Sequence, residues 1–355
     1  MEYLFLGCHL KSPVIAGSNP MSQDASTMIR LYQAGAGAVV TKNVCLPVKR
    51  NPRLYLRETG RDTLINCERA IDYPCDRWID REIPEAVKAG VCVIANVGMT
   101  EAESAQVVER LEDAGVSMIE CVSYNADWLI PMVKDTKKKV HIPVIAKLSP
   151  NYTDLIGVAR QCIDAGADAF TMGDSIGPVM RIDIRTGRPM TGGSNGLSWM
   201  SGAALKPFAI HNIAELRKNF DLPIIGMGGV ENWEDGIEMM MAGADIVAVC
   251  SAIVTQGMPV LGEIRDGMEK FAAEKDDPAF AGIRGCTLKY LESQDQSGKF
   301  GFRFDKSKCS HCGRCSELCP YQAISFSESG EAVPDENRCS GCGLCTSFCD
   351  ALRET

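Results

Sequence analysis

The chain has 355 residues, 45% of them apolar and 23% charged, with 37 Lys and Arg against 46 Asp and Glu for a formal net charge of −9. That length allows one large and one small domain and excludes a short disulfide-stapled scaffold, while the composition is that of a soluble globular chain rather than a disordered or fibrous one. The acidic excess repels a phosphate backbone and an anionic membrane surface, so small molecules and proteins are the partners to expect.

The opening residues Met1-Glu2-Tyr3-Leu4-Phe5-Leu6-Gly7-Cys8-His9 lack a basic start and soon turn polar, unlike a secretory leader. No stretch reaches the roughly 18 to 20 uncharged apolar residues of a membrane helix. A reducing cytoplasm is the expected location, where the 17 cysteines serve as metal ligands or packed thiols.

In chain order, the first strand candidate is Pro13-Val14-Ile15-Ala16. A repeated phrase follows, in which a helical stretch ends in Ala-Gly-Ala or a close relative and gives way to a short apolar run. Ala34-Gly35-Ala36 precedes Ala38-Val39-Val40-Thr41-Lys42, Ala89-Gly90-Val91 precedes Cys92-Val93-Ile94-Ala95, and Ala114-Gly115-Val116 precedes Met118-Ile119-Glu120-Cys121-Val122. Pro143-Val144-Ile145-Ala146-Lys147 comes next, then Ala165-Gly166-Ala167 before Phe170-Thr171-Met172-Gly173. Pro223-Ile224-Ile225-Gly226-Met227 and, after Ala242-Gly243-Ala244, Ile246-Val247-Ala248-Val249-Cys250 complete the set. A glycine suits the left-handed residue that ends a helix, proline is tolerated at a strand's first residue, and a β-branched run suits a strand covered on both faces. Eight strand-helix units in about 250 residues are the arithmetic of a (β/α)8 TIM barrel, in an α/β chain. A doubly wound open sheet is the alternative, although no GxGxxG follows any strand. The stretch from Lys270 to Lys299 reads as a last barrel helix plus linker, which sets the expected domains at 1–300 and 301–355.

In a barrel the chemistry sits at the C-terminal ends of the strands. Those ends are polar here: Gly17-Ser18-Asn19, Lys42-Asn43, Asn96, Ser123-Tyr124-Asn125, Lys147-Leu148-Ser149, Asp174-Ser175, Gly228-Gly229 and Cys250-Ser251. The glycines of strands 7 and 8 stand where barrels commonly hold a phosphate, and a single glycine pair also serves as an ordinary turn. Two lysines pointing into a barrel mouth are costly unless they meet an anion or an electron-rich ring.

The last 55 residues carry Cys309-x2-Cys312-x2-Cys315-x3-Cys319-Pro320 and Cys339-x2-Cys342-x2-Cys345-x3-Cys349. This is the spacing of a small α+β bacterial-type ferredoxin with two [4Fe-4S] clusters, in which the fourth cysteine of each run ligates the other cluster. Cys309, Cys312, Cys315 and Cys349 are therefore assigned to one centre, and Cys339, Cys342, Cys345 and Cys319 to the other. Structural zinc, the competing assignment, favours two paired CxxC units with a longer gap. His311 is expected to be a surface residue.

A barrel with a phosphate site, two inward lysines and a two-cluster ferredoxin resembles the flavin-dependent dihydropyrimidine and dihydroorotate dehydrogenases. The resemblance covers nearly the whole chain and runs through Asn19-Pro20, Val40-Thr41-Lys42, Ile65-Asn66, Ile145-Ala146-Lys147-Leu148-Ser149-Pro150-Asn151, Ser201-Gly202, Gly228-Gly229 and Val249-Cys250-Ser251-Ala252. It implies FMN, with Ala16, Gly17 and Ser18 against the ring, Lys42 and Lys147 beside its pyrimidine edge, and Gly202, Gly228, Gly229, Cys250 and Ser251 on the ribityl chain or phosphate. A fixed cation such as Lys147 near N1 and the C2 carbonyl stabilises the negative charge of reduced flavin.

The substrate end departs from the family pattern. The asparagine expected at the end of strand 4 and the mobile acid-base loop are not recognisable in Cys121-Val122-Ser123-Tyr124-Asn125-Ala126-Asp127-Trp128. Asn66, Asn125, Asp174 and Ser175 are the candidate substrate ligands, and Tyr124 or Cys121 the candidate proton donor, with rim packing and a buried inert thiol as their respective structural readings. Asp174 stands where a neutral amide is expected, so the ligand should offer N–H groups or positive charge there.

The expected function is oxidoreduction at an activated C=C bond of a small pyrimidine-like ring, in either direction, with hydride passing through flavin N5. The clusters would relay electrons from an FAD-containing, NAD(P)H-oxidising subunit or a soluble ferredoxin. No nucleic acid or membrane is expected, and a homo-oligomer is admitted without being specified. An electron-relay subunit without substrate chemistry is the alternative. An RNA dihydrouridine synthase, which also uses an FMN barrel, fits poorly with the acidic charge and the ferredoxin tail.

Overall fold

Eight short parallel strands close into a barrel in sequential order. They are β1 (Val14–Ala16), β2 (Val39–Val40), β3 (Val93–Gly98), β4 (Met118–Val122), β5 (Val144–Leu148), β6 (Ala169–Met172), β7 (Ile224–Met227) and β8 (Ile246–Val249). Closure between β8 and β1 pairs Ala248 with Ile15 and rules out the open doubly wound sheet. This computed structural model describes residues 3–44, 46, 50–60, 63–69, 73–291 and 302–354. The chain divides into two compact units, Met1–Leu291 and Glu292–Thr355. The boundary expected between residues 300 and 301 lies outside the described residues, as do Cys45 and residues 292–299 of the expected linker.

Alternation along the strands builds two apolar layers. Ile15, Val40, Ile94, Met118, Ile145, Ile225 and Ile246 fill the barrel interior, where Phe5 and Leu10 join them from the hairpin Tyr3–Phe5/Cys8–Leu10. Val14, Val39, Val93, Ile119, Val144, Phe170, Ile224 and Val247 face outward against the helices. The repeated glycines end helices as expected. Gly243, at φ 124°, is the clearest, because a Cβ there would stand 2.6 Å from the Arg217 Cβ.

One part of the barrel unit was not foreseen. Leu56–Glu58, Thr63–Asn66, Ser198–Gly202 and Ile176–Val179 form a separate four-stranded antiparallel sheet. It brings Asn66 opposite Trp199, two positions that are remote in sequence. Of the stretch from Lys270 to Lys299, the described part contains the end of helix Val260–Glu274 and the short helix Leu288–Leu291.

The C-terminal unit has internal two-fold character. The hairpin Ile324–Phe326/Ala332–Pro334 and the pair Phe302–Phe304/Leu352–Glu354 accompany two short helices, Arg314–Glu317 and Leu344–Ser347. Each helix is entered through a left-handed glycine, Gly313 at φ 74° and Gly343 at φ 72°. His311 takes the same left-handed turn, at φ 54°, that Gly341 takes in the second cysteine run.

Candidate active site

The strand ends of the barrel and the added sheet line a cavity of about 190 Å³. Ser18, Lys42, Lys147, Gly202, Gly228, Gly229, Cys250 and Ser251 stand on its wall, as do Asn66, Tyr124, Asp174 and Ser175. Ala16 and Gly17 do not. The Ala16 methyl packs in the outer layer, and Gly17 donates its backbone N–H to the Val249 carbonyl at 2.8 Å, joining β1 to β8 below Ser18.

Two expected residues leave the site altogether. Cys121 is fully buried in the outer layer, its Sγ 3.6 Å from Thr136 Oγ1 on helix Ala126–Lys139, because strand alternation turns Glu120 and Val122 inward and Cys121 outward. Burial pushes its thiol up to about 12. It is not a candidate proton donor. Asn125 is exposed and caps that same helix, accepting from the Asp127 N–H at 2.9 Å. Its amide is committed to the helix end, which removes it from the substrate ligands.

Charge in the cavity is arranged around Lys147, which is only 6% exposed. Its Nζ lies 3.5 Å from Asp174 Oδ2 and 3.9 Å from Glu120 Oε2. Burial works to lower the lysine's pKa, but Asp174 and then Glu120 outweigh it, and the net movement is upward. Asp174 Oδ1 accepts from the Tyr124 hydroxyl at 2.9 Å and from the Ser175 N–H at 2.7 Å. The carboxylate expected to greet a ligand is thus largely occupied by the protein. Tyr124 stacks on Trp199 with ring centroids 5.6 Å apart, and burial followed by the Asp174 charge holds its phenol well above the ordinary value.

Sequence reasoning missed several cavity residues. Lys42 does not enter unpaired, since Glu68 accepts from its Nζ at 2.6 Å. Glu68 follows Asn66 by two residues, and its backbone N–H donates to Asn66 Oδ1 at 3.3 Å. Arg69 stands on the wall beside it and reaches Ser194 Oγ at 3.2 Å. Asn66, for its part, donates to the Trp199 carbonyl at 3.4 Å. Glu68 lies two residues beyond the end of the strand Thr63–Asn66, so no strand periodicity marked it in the sequence.

The residues present fit an FMN. Asn43, on the cavity wall, buries an Oδ1 that has no partner among the described residues, an acceptor open to the imide N–H of a flavin or pyrimidine ring. Gly202, Gly228 and Gly229 hold φ of 98°, 119° and 75°, which side chains rarely adopt. At Gly229 a Cβ would also stand 2.6 Å from the Lys206 backbone nitrogen. Such a glycine wall admits a phosphate or ribityl chain close to the backbone.

The cysteines of the C-terminal unit fit iron–sulfur clusters. A second hollow is lined by Cys319 together with Cys339, Cys342 and Cys345, and also by Cys315 of the first run, among apolar neighbours that include Leu318, Ile324 and Phe348. Burial, and then the proximity of Cys349 and Cys309, raise the Cys315 thiol, so that the fourth cysteine of the second run lies near the first run. Among the described residues no three His, Cys, Asp or Glu side chains converge on a single-ion site.

Comparison with known proteins agrees with both units. The model of the family described as dihydroorotate dehydrogenase matches residues 1–272, and that of the 4Fe-4S dicluster domain matches residues 291–351. The chain is similar to the dihydroorotate dehydrogenase B (NAD(+)) catalytic subunit of Methanothermobacter thermautotrophicus, 32% identical over 286 residues that cover 76% of this chain and 93% of the relative. The corresponding subunit of Methanocella arvoryzae is 36% identical over 264 residues, 70% of this chain and 85% of the relative. The NAD-dependent dihydropyrimidine dehydrogenase subunit PreA of Escherichia coli K12 is 26% identical over 361 residues, covering 92% of this chain and 88% of the relative. The chain therefore belongs to the dihydroorotate dehydrogenase family, with a 4Fe-4S dicluster domain following its barrel.

Proposed function

We propose that the chain is the catalytic component of an FMN- and iron–sulfur-dependent oxidoreductase that saturates, or in reverse forms, an activated C=C bond in a small pyrimidine-like ring. The observation that carries this reading is the Tyr124–Asp174–Lys147 array on the cavity wall. When bound, the flavin supplies two-electron hydride chemistry and the clusters supply electrons singly.

Tyr124 gives its proton to the ring carbon next to the one that takes hydride, and regains a proton from water at the cavity mouth. At rest that proton lies in the hydrogen bond to Asp174 Oδ1, so the hydroxyl turns from the carboxylate toward the ring to deliver it, while Lys147 at 3.5 Å is the counter-ion of Asp174. Asn43 offers an unpartnered amide oxygen to a ring imide, while Glu68 and Asp174 place two carboxylates around it. Because Lys42 and Lys147 each already face a carboxylate, the pull of the wall on a ring bearing its own carboxylate falls to Arg69, and a neutral ring rich in N–H suits the groups that remain. Of the two substrate classes in the relatives' names, dihydropyrimidine fits this chemistry better than dihydroorotate.

No nicotinamide fingerprint was found in the chain, so NAD(P)H is oxidised on a separate FAD-containing subunit, or electrons come from a soluble ferredoxin. Among the described residues no helix is long and apolar enough to cross a membrane. The cluster cysteines suit a reducing cytoplasm.

The test is single turnover. Protein reconstituted anaerobically with FMN, iron and sulfide is reduced with dithionite, freed of excess reductant, and mixed with uracil, thymine or orotate while flavin absorbance is followed. Reoxidation by uracil or thymine supports the proposal. Flavin that stays reduced with all three rings yet passes electrons to a protein acceptor identifies the relay subunit instead.

A further inference from the structure

A buried carboxyl directly behind the cavity takes no part in that proton transfer. Glu120 is 2% exposed on β4 and does not itself line the cavity, although its neighbours Asn96 and Lys147 do. Strand register sets Asn96 of β3 directly opposite Glu120 and Thr171 of β6 opposite Lys147 of β5. The interior therefore carries a polar layer directly beneath the site, where a barrel usually stacks branched apolar side chains. Asn96 Nδ2 donates to Glu120 Oε2 at 2.6 Å, and Thr171 Oγ1 donates to Oε1 at 2.7 Å. Asn96 is held in turn, its backbone N–H donating to Thr41 Oγ1 at 3.0 Å.

Taking a carboxylate out of water is costly even when it is paired, and an apolar side chain of similar volume would fill the barrel without that cost. Both oxygens of Glu120 nonetheless have donors, and the group sits 3.9 Å behind the lysine that faces the cavity. Asp174 flanks the same lysine at 3.5 Å. One ammonium between two carboxylates leaves an excess of one negative charge beside the cavity. Lys147 alone would draw electrons onto a bound flavin; the full triad opposes the added negative charge of the reduced ring.

We propose that Glu120 is a positioning residue that aims Lys147 into the cavity and offsets its charge, keeping the reduction potential of an FMN bound there low. The role rests on the reading that FMN occupies this cavity. A low potential makes the reduced flavin a stronger donor, which favours saturation of the substrate bond over its formation. Asn96 and Thr171 serve this by holding the carboxylate still.

Anaerobic spectroscopic titration of the FMN- and cluster-loaded full chain against reference dyes tests it, with FMN stoichiometry measured on the same samples. Glu120→Gln keeps an acceptor for Asn96 and a group for Thr171 while removing the charge. It should shift the oxidised-to-reduced equilibrium at least tenfold toward reduced flavin, a rise of ~30 mV for a two-electron couple. Lys147→Gln should move the potential the opposite way, a sign reversal that loss of packing would not produce. An E120Q potential that is unchanged or lower, with FMN bound stoichiometrically, overturns the proposal. A folded E120Q that no longer retains FMN overturns it too, because Glu120 would then hold the cofactor rather than tune it. If E120Q does not fold, Glu120→Asp keeps the charge but draws it back from Lys147, and a smaller upward shift is required. Unmutated protein that takes up iron but no FMN overturns the cofactor reading itself, a result distinct from those on Glu120.

Discussion

The Tyr124 hydroxyl donates to Asp174 Oδ1 at 2.9 Å, joining the ends of β4 and β6 across the cavity. Burial and this contact together keep the phenol protonated. Tyr124→Phe preserves the stack on Trp199 and removes only the proton. Substrate turnover should fall by about 10²- to 10⁴-fold, the usual contribution of a general acid, while FMN and iron contents stay the same. Comparable loss of cofactor and activity would assign the residue to packing.

The same contact predicts a pH signature. Burial and the Asp174 charge both disfavour the phenolate, so the pKa of Tyr124 is raised and the proton-donating form persists beyond about pH 10. Asp174→Asn removes the repulsion between carboxylate and phenolate and should lower that pKa. The alkaline limb of kcat is then expected at lower pH in D174N than in the parent enzyme, as measured from single-turnover rates between pH 6 and about 11. An alkaline limb that moves upward would contradict the pairing.

How much of this was legible in the sequence depends on whether the signal was local. The barrel was legible because five helix ends carry a glycine, the remaining strands open at a proline, and each strand is buried on both faces, as at Gly243 followed by Ile246–Val249. The antiparallel sheet was not. Its strands are short and partly exposed, and pairings such as Asn66 with Trp199 leave no periodic trace. Within the site, glycines and lysines at strand ends announced themselves by type. Glu68 and Glu120 did not, because an isolated glutamate usually reads as a solvated face; only the register reveals that Glu120 points inward. The same register explains Cys121, one residue on and on the opposite face. Asn125 carried a helix-cap pattern, followed as it is by Ala126 and Asp127.

That parity makes Cys121 a test of fold against chemistry. Cys121→Ala should cost about 1 kcal/mol of stability through the lost packing of one buried sulfur, seen in urea unfolding. It should leave kcat within about twofold, a change worth under 1 kcal/mol. A larger loss of turnover at unchanged stability would return the thiol to the catalytic set.

The crossing of the fourth cysteines can be checked by grouping substitutions. Cys319→Ser should perturb the same cluster signal in the EPR spectrum of the reduced protein as Cys339→Ser, and Cys349→Ser the same signal as Cys309→Ser. Each variant should hold less than about eight irons per chain, with the second signal retained. If Cys319→Ser instead groups with Cys309→Ser, each cysteine run holds its own cluster.

Glu68 offers the sharpest test of substrate choice. It accepts from Lys42 at 2.6 Å, so the nearest cation on that wall is already neutralised before any ligand arrives. A ring bearing a carboxylate meets Glu68 and Asp174 as like charges and finds Lys42 engaged, with Arg69 as the further cation on that wall. Glu68→Gln keeps the shape of the wall and frees the lysine. Affinity for orotate should then improve by about tenfold, equivalent to ~1.4 kcal/mol, while affinity for neutral uracil changes far less. Equilibrium titration of the oxidised protein, followed through perturbation of the flavin spectrum, reads both constants on one sample. The gain for orotate should shrink as ionic strength rises, because the contact opened by the substitution is charge on charge. Equal changes for both rings would mean that Glu68 shapes the cavity without reading the charge of its ligand.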